Sequence, residues 1–102
     1  MSIQLAECKL LTIICELSLE PVLVADLKAL GARGHTVIDA RGDGAHGVRD
    51  ASWSSSGNIR VEVLCSEPVA LTILEHLEKR YYANYGMVAF LVDAKVVRPE
   101  KF

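Results

Sequence analysis

Two apolar runs, Lys9 to Glu16 and Met87 to Val97, carry nonpolar side chains at both odd and even positions. In the first, Leu11, Ile13 and Cys15 alternate with Leu10, Thr12 and Ile14. In the second, Val88, Phe90 and Val92 alternate with Met87, Ala89 and Leu91. Successive residues of a strand point to opposite faces, so strands made from these runs are apolar on both. A sheet built around them needs cover on each side.

Two further strands are predicted. Thr36 to Ala40 is a short β-branched run, and in Asn58 to Cys65 the residues Ile59, Val61, Val63 and Cys65 alternate with Asn58, Arg60, Glu62 and Leu64. Between the strands the period changes to that of a helix. Pro21 opens VLVADLKAL, with Leu23, Leu27 and Leu30 at helical spacing, and Gly31 and Gly34 stop it. Ser66 is placed to cap a second helix, in which Val69, Ile73 and Leu77 form a stripe and Glu75 faces Lys79. That helix is expected to run unbroken to Gly86.

The predicted order is βαββαβ over a single domain, residues 1–102. Right-handed crossovers put both helices on one face of a four-stranded antiparallel sheet, the ferredoxin-like α+β plan. Two helices cover only one face. The other would expose on the order of several hundred Å² of apolar surface, and self-association is the expected remedy.

The segment from Arg41 to Gly57 joins the two halves and holds four of the seven glycines, Gly42, Gly44, Gly47 and Gly57. Loops of this length in a small domain usually serve a function. Its glycines permit close approach to a ligand, and Arg41, His46 and Arg49 bring donors suited to anionic oxygens. The residues alone leave two readings open, a loop that folds over an anion and a solvated connection. No Walker sequence occurs.

A formal charge of −2 lacks the broad basic face that drives nonspecific nucleic-acid binding. Strand Asn58 to Cys65 also lacks an aromatic residue for stacking a base. Cys8, Cys15 and Cys65 lie in apolar runs without Cys-x-x-Cys spacing, as expected of buried thiols in a reducing compartment. His35, His46 and His76 have no metal-ligand spacing, and no metal is assigned. With no basic leader and no apolar run of about 20 residues, the expected location is cytoplasmic.

Gly34-His35-Thr36-Val37 is similar to the Gly-x-Thr-Val that follows the first helix in the PII signalling superfamily. Gly42-Asp43-Gly44 resembles the Gly-x-Gly that starts the T-loop of that family, Asn58 to Glu62 the strand that leaves the T-loop, and Ala94 to Arg98 the final strand with its basic end. GVRDASW, NIRVEVLC and VVRPEKF look most like the PII-like subgroup linked to inorganic carbon, namely the bicarbonate-transporter regulators and the carboxysome-associated PII proteins. No Cys-containing extension follows Phe102, which favours the carboxysome-associated type. The glycine- and lysine-rich B-loop of the nitrogen-sensing members is missing, Ala45 and His46 replace a basic residue and a glutamine of their T-loop, and no tyrosine lies between Arg41 and Gly57. Their sensing mechanism is therefore not carried over.

The resemblance implies a homotrimer that binds AMP or ADP, with cyclic AMP and bicarbonate as further ligands, in clefts between subunits. Gly34, His35, Thr36 and Val37 would meet the nucleoside, and Arg49 the phosphate in place of a solvated role. Gly42, Gly44, His46 and Asn58 would border the same ligand. Val88, Ala89 and Phe90 would edge the adenine from a neighbouring subunit. Arg60 and Glu62 are open to two readings, a cross-strand ion pair or a cleft-facing pair. Arg98 and Lys101 would add positive charge, unless they are a frayed basic tail. Arg41, Gly44 and Arg49 are the candidates for bicarbonate, and Trp53 for contact with a protein partner such as a bicarbonate transporter or a carboxysome component. The expected function is non-enzymatic signalling, with T-loop order as the output; a trimeric metal-binding protein of the copper-tolerance type is the alternative.

Overall fold

The structure is a computed structural model that describes residues 2–44, 47–49 and 57–102, with side chains from Asp43 to Arg49 outside the description. Eight regular elements follow one another: β1 (Ala6–Glu16), α1 (Glu20–Ala29), β2 (Thr36–Ala40), β3 (Gly42–Gly44), β4 (Gly47–Arg49), β5 (Asn58–Cys65), α2 (Glu67–Arg80) and β6 (Val88–Val96). The main sheet has the order β2-β5-β1-β6 and is antiparallel at every junction. This is the ferredoxin-like arrangement.

Parity assigns the faces. Leu11, Ile13 and Cys15 of β1 lie beside Val63, Val61 and Ile59 of β5, all fully buried, under Leu23 and Leu27 of α1 and Ala70, Ile73 and Leu77 of α2. Leu30 packs at the edge of this core. Val69, expected in the stripe of α2, is only partly buried, and Ala70 takes the inward position. The even-numbered side chains face the other way. Cross-strand rows there read Thr36, Glu62, Thr12, Phe90 and Ile38, Arg60, Ile14, Val88. On this face the edge-strand residues Ile38, Val88, Phe90 and Val92 are 43–49% exposed. Thr12, at the centre, is 1% exposed and its Oγ1 has no hydrogen-bond partner among the described residues.

Local chemistry explains the element ends. Ser66 caps α2 by accepting from the Val69 N–H at 3.4 Å, and Glu67 and Lys79-Arg80 match the ends of its dipole. Gly31 ends the turn after α1 with φ 110°, a left-handed conformation that costs a residue with a side chain. β1 begins three residues earlier than its apolar run because Ala6 to Cys8 pair with Ala94 to Val96. The stretch expected as one open loop also pairs in part. Gly42 lies opposite Arg49 and Gly44 opposite Gly47 in a separate two-stranded hairpin. At its far end the Leu17 N–H donates to the Gly57 carbonyl at 3.0 Å, tying the return of the chain to the end of β1.

The expectation of unbroken helix to Gly86 fails at Arg80. The N–H groups of Tyr81 and Tyr82 both donate to the Leu77 carbonyl, and those of Asn84 and Tyr85 both return to Tyr81, forming a separate turn. Tyr81 is pulled inward, 4% exposed, with its hydroxyl donating to Asp26 Oδ2 of α1 at 2.5 Å. His76 Nε2 meets the same oxygen at 2.9 Å. Two groups of α2 and the turn after it thus converge on one carboxylate of α1.

Burial pushes the Asp26 carboxyl up, but the hydrogen bonds from Tyr81 and His76, with the charges of His76 and Arg80, outweigh it and hold the group below its usual range. Burial and the same bond push the Tyr81 phenol well above its ordinary value. A depressed carboxyl contributes stability above its unfolded pKa of about 3.9, and that contribution is lost as pH falls through the folded value. Asp26→Asn is therefore expected to cost about 1–3 kcal/mol near neutral pH. In urea titrations the gap to the parent should close below about pH 4; a gap independent of pH would show that the carboxylate charge is not what the helices share.

Candidate functional site

A cleft of about 360 Å³ opens on the even-numbered face, where the chain passes from α1 into β2. Its apolar floor is Leu10 and Leu64, which lie directly opposite each other across β1 and β5. Arg33, Gly34, His35 and Thr36 form one wall, and Thr36 sits beside Glu62 through the β2–β5 register. Lys101 and Phe102 complete the lining.

The charges of the cleft are unequal. The Glu62 carboxylate accepts from Arg60 Nε at 3.0 Å, and Arg60 Nη2 also bonds it, so its charge is already matched. Lys101 brings a further cation to the lining, and Arg33 lines it with its Nη1 donating to the Glu100 carbonyl at 3.0 Å. Apolar floor, hydroxyl and an excess of positive charge among the described residues suit a ligand with a flat apolar part and an anionic part.

Of the residues singled out in the sequence, Gly34, His35, Thr36, Glu62 and Lys101 meet here. Val37 does not: odd parity turns it to the helix side, where it packs on the core. Arg60 borders the cleft through its bond to Glu62. That pair runs along one strand, two residues apart, so the cross-strand reading is corrected. Val88, Ala89 and Phe90 lie on β6, at the sheet edge opposite β2, with Val88 and Phe90 on the open face and Ala89 on the helix side. None of the three lines this cleft. Arg98 precedes the turn Pro99–Lys101, with its Nε 3.8 Å from Glu100 Oε2. Arg41, Gly42 and Asn58 stand at the base of the segment between β2 and β5, and Gly44 and Arg49 in its hairpin. His46 and Trp53 lie outside the described residues, as does the Arg49 side chain.

Arg33, Leu10, Leu64 and Phe102 were not singled out. Leu10 and Leu64 read as plain strand residues until pairing set them side by side. Arg33 adjoins the Gly34 motif, so a basic residue next to it was the available signal. Among the described residues no group of three His, Cys, Asp or Glu comes together as a metal site. No helix is long and apolar enough to cross a membrane among them either. Cys65 is buried, which pushes its thiol up, and Cys8 donates to the Cys65 carbonyl at 3.3 Å.

A four-stranded sheet covered on one side by two helices, with an edge cleft beside β2, defines the small ferredoxin-like class. Residues 8–101 match the family of nitrogen regulatory protein P-II, and the chain belongs to that family. A structure from Thermus thermophilus described as that of a PII-like signalling protein is 43% identical, with a TM-score of 0.84, over 98% of this chain and 99% of its own. CPII, a nitrogen regulatory PII-like protein from Thiomonas intermedia solved with ADP, AMP and bicarbonate, is 26% identical, with a TM-score of 0.90, over 99% and 98%. The same protein solved with ADP and bicarbonate gives a TM-score of 0.88 at 26% identity, over 99% of each chain. A search of the curated proteins found no match.

Gly31 and Gly34 frame the wall of the cleft and differ in why they are glycine. A Cβ on Gly34 would meet nothing within 4 Å, and its φ is outside the left-handed region. Nothing in the lone fold asks for glycine there. Gly34→Ala is expected to hold or raise stability, by up to about 1 kcal/mol, whereas Gly31→Ala should lower it by about 1–2 kcal/mol. Urea midpoints of the two variants decide it, and a loss at Gly34 equal to that at Gly31 would count against an open Gly34.

Proposed function

We propose that this P-II family protein is a non-enzymatic sensor that binds adenine nucleotides in clefts completed by a neighbouring subunit of a homotrimer. ADP and AMP are the leading ligands, with cyclic AMP a further candidate and bicarbonate a co-ligand. The observation that carries the proposal is continuity: the cleft floor, Leu10 and Leu64, runs into the uncovered apolar face through Leu10 and its neighbour Val92. Covering that face with another copy would also close the cleft. It would bring the Val88 to Phe90 edge of a second subunit within reach of the adenine. The solved complexes of CPII with ADP, AMP and bicarbonate support the choice of ligands.

In this reading Thr36 and the Gly34 backbone hold the nucleoside, and Arg49 reaches the phosphate with two parallel donors. Arg41, Gly44 and Arg49 accept bicarbonate beside the phosphate, because a planar anion with three oxygens suits a guanidinium and backbone N–H groups. Ligand binding then changes the order of residues 41–57. Ordering a glycine- and serine-rich segment costs entropy that new contacts must offset. The segment, with Trp53 as a contact, regulates a protein partner in inorganic carbon uptake or fixation.

Light scattering is expected to give about 33 kDa, three times the 11.1 kDa chain; a monomer mass would remove the shared cleft. Arg49→Ala should weaken ADP binding about ten- to hundredfold, and Arg49→Lys should recover only part of that. Titration calorimetry with and without bicarbonate tests the coupling, since any factor by which bicarbonate changes ADP affinity must appear reciprocally in bicarbonate affinity. An ADP affinity indifferent to bicarbonate removes carbon sensing and leaves nucleotide sensing in place.

A further inference from the structure

The cleft has a wall that no strand supports. After β6 the chain reverses at Arg98, which has φ 57° and ψ 58°, and among the described residues it is the one non-glycine in the left-handed region. Side-chain residues adopt that conformation at a cost and keep it where surrounding contacts require it. The reversal leads into the turn Pro99–Lys101, closed by the Lys101 and Phe102 N–H groups donating to the Arg98 and Pro99 carbonyls, each at 3.1 Å. Such a turn is too short to hold its own position. Among the described residues a long-range bond holds it: Arg33 Nη1 donates to the Glu100 carbonyl at 3.0 Å, across 67 residues of sequence. Lys101 and Phe102 line the cleft directly after that carbonyl.

We infer that Arg33 is a positioning residue for the cleft, holding the turn Pro99–Lys101 against the start of β2 so that Lys101 and Phe102 form its second wall. Lys101 then presents its ammonium to the anionic part of the ligand and Phe102 its ring to the flat apolar part, while Arg33 acts through the turn. The ligand in this inference rests on the nucleotide reading above; the held turn does not. Arg33 is exposed, so its removal leaves the core untouched.

Two readouts test it on the full-length chain. Without ligand, NMR-detected amide exchange at Lys101 and Phe102 should quicken severalfold in Arg33→Ala and return towards the parent rate in Arg33→Lys, which restores a donor. In calorimetry with ADP, Arg33→Ala should weaken binding about five- to tenfold. The same change made in the Lys101→Ala, Phe102→Ala background should add almost nothing, because the groups it positions are gone. Unchanged exchange at both amides would overturn the held turn. An equal loss of affinity in both backgrounds would overturn positioning, since Arg33 would then act on the ligand without the turn. If the parent protein binds no adenine nucleotide, the nucleotide reading fails, and the exchange experiment alone decides whether Arg33 holds the turn.

Discussion

The architecture depends on one asymmetry: β1 and β6 are apolar on both faces, and the helices cover only one. Leu11, Ile13 and Cys15, with Ile59, Val61 and Val63, vanish under α1 and α2. Phe90, Val88, Val92 and Ile38 on the reverse side stay nearly half exposed. Large apolar side chains clustered on one sheet face mark a surface built to meet another. Thr12 sharpens the point, because its hydroxyl is sealed within that face without a partner among the described residues, a condition that costs free energy unless a neighbour resolves it.

The cleft inherits its chemistry from the same face. Its floor consists of even-numbered residues of β1 and β5, so it is apolar for the reason the open face is apolar. Its polar wall comes from the short passage between α1 and β2, where Gly31 turns the chain and Arg33 to Thr36 follow. Arg60 matches Glu62 along β5, leaving the balance at the cleft positive. Opposite, the helices are locked by a different device, with Tyr81 and His76 sharing Asp26. That lock sits in the helical layer, on the opposite side of the sheet from the cleft.

The strands and the first helix were legible because their signals are local. Thr36–Ala40 and Asn58–Cys65 have the bounds their patterns predict, and Leu23 and Leu27 face inward as their spacing requires. The end of α2 was not legible. Tyr81 continues the stripe of Ile73 and Leu77, and the turn that follows it and its bond to Asp26 on the neighbouring helix leave no mark in the local pattern. Five of the nine cleft residues were legible, Gly34 to Thr36 as a motif and Glu62 and Lys101 as charges. Leu10, Leu64, Arg33 and Phe102 were hidden because each is ordinary in its own segment.

By itself the sequence determined which residues could be strand or helix, that the first and last strands would be apolar on both sides, and that Gly31 would stop the first helix, since all of these follow from periodicity and backbone sterics within a few residues. Only the tertiary structure decided that Leu10 stands beside Leu64, that Arg60 serves Glu62 on its own strand, and that Arg33 reaches Glu100. Those contacts depend on register and on side-chain reach between segments far apart in the chain. A pattern can say that a residue faces a sheet, but its neighbour across that sheet is chosen by the pairing.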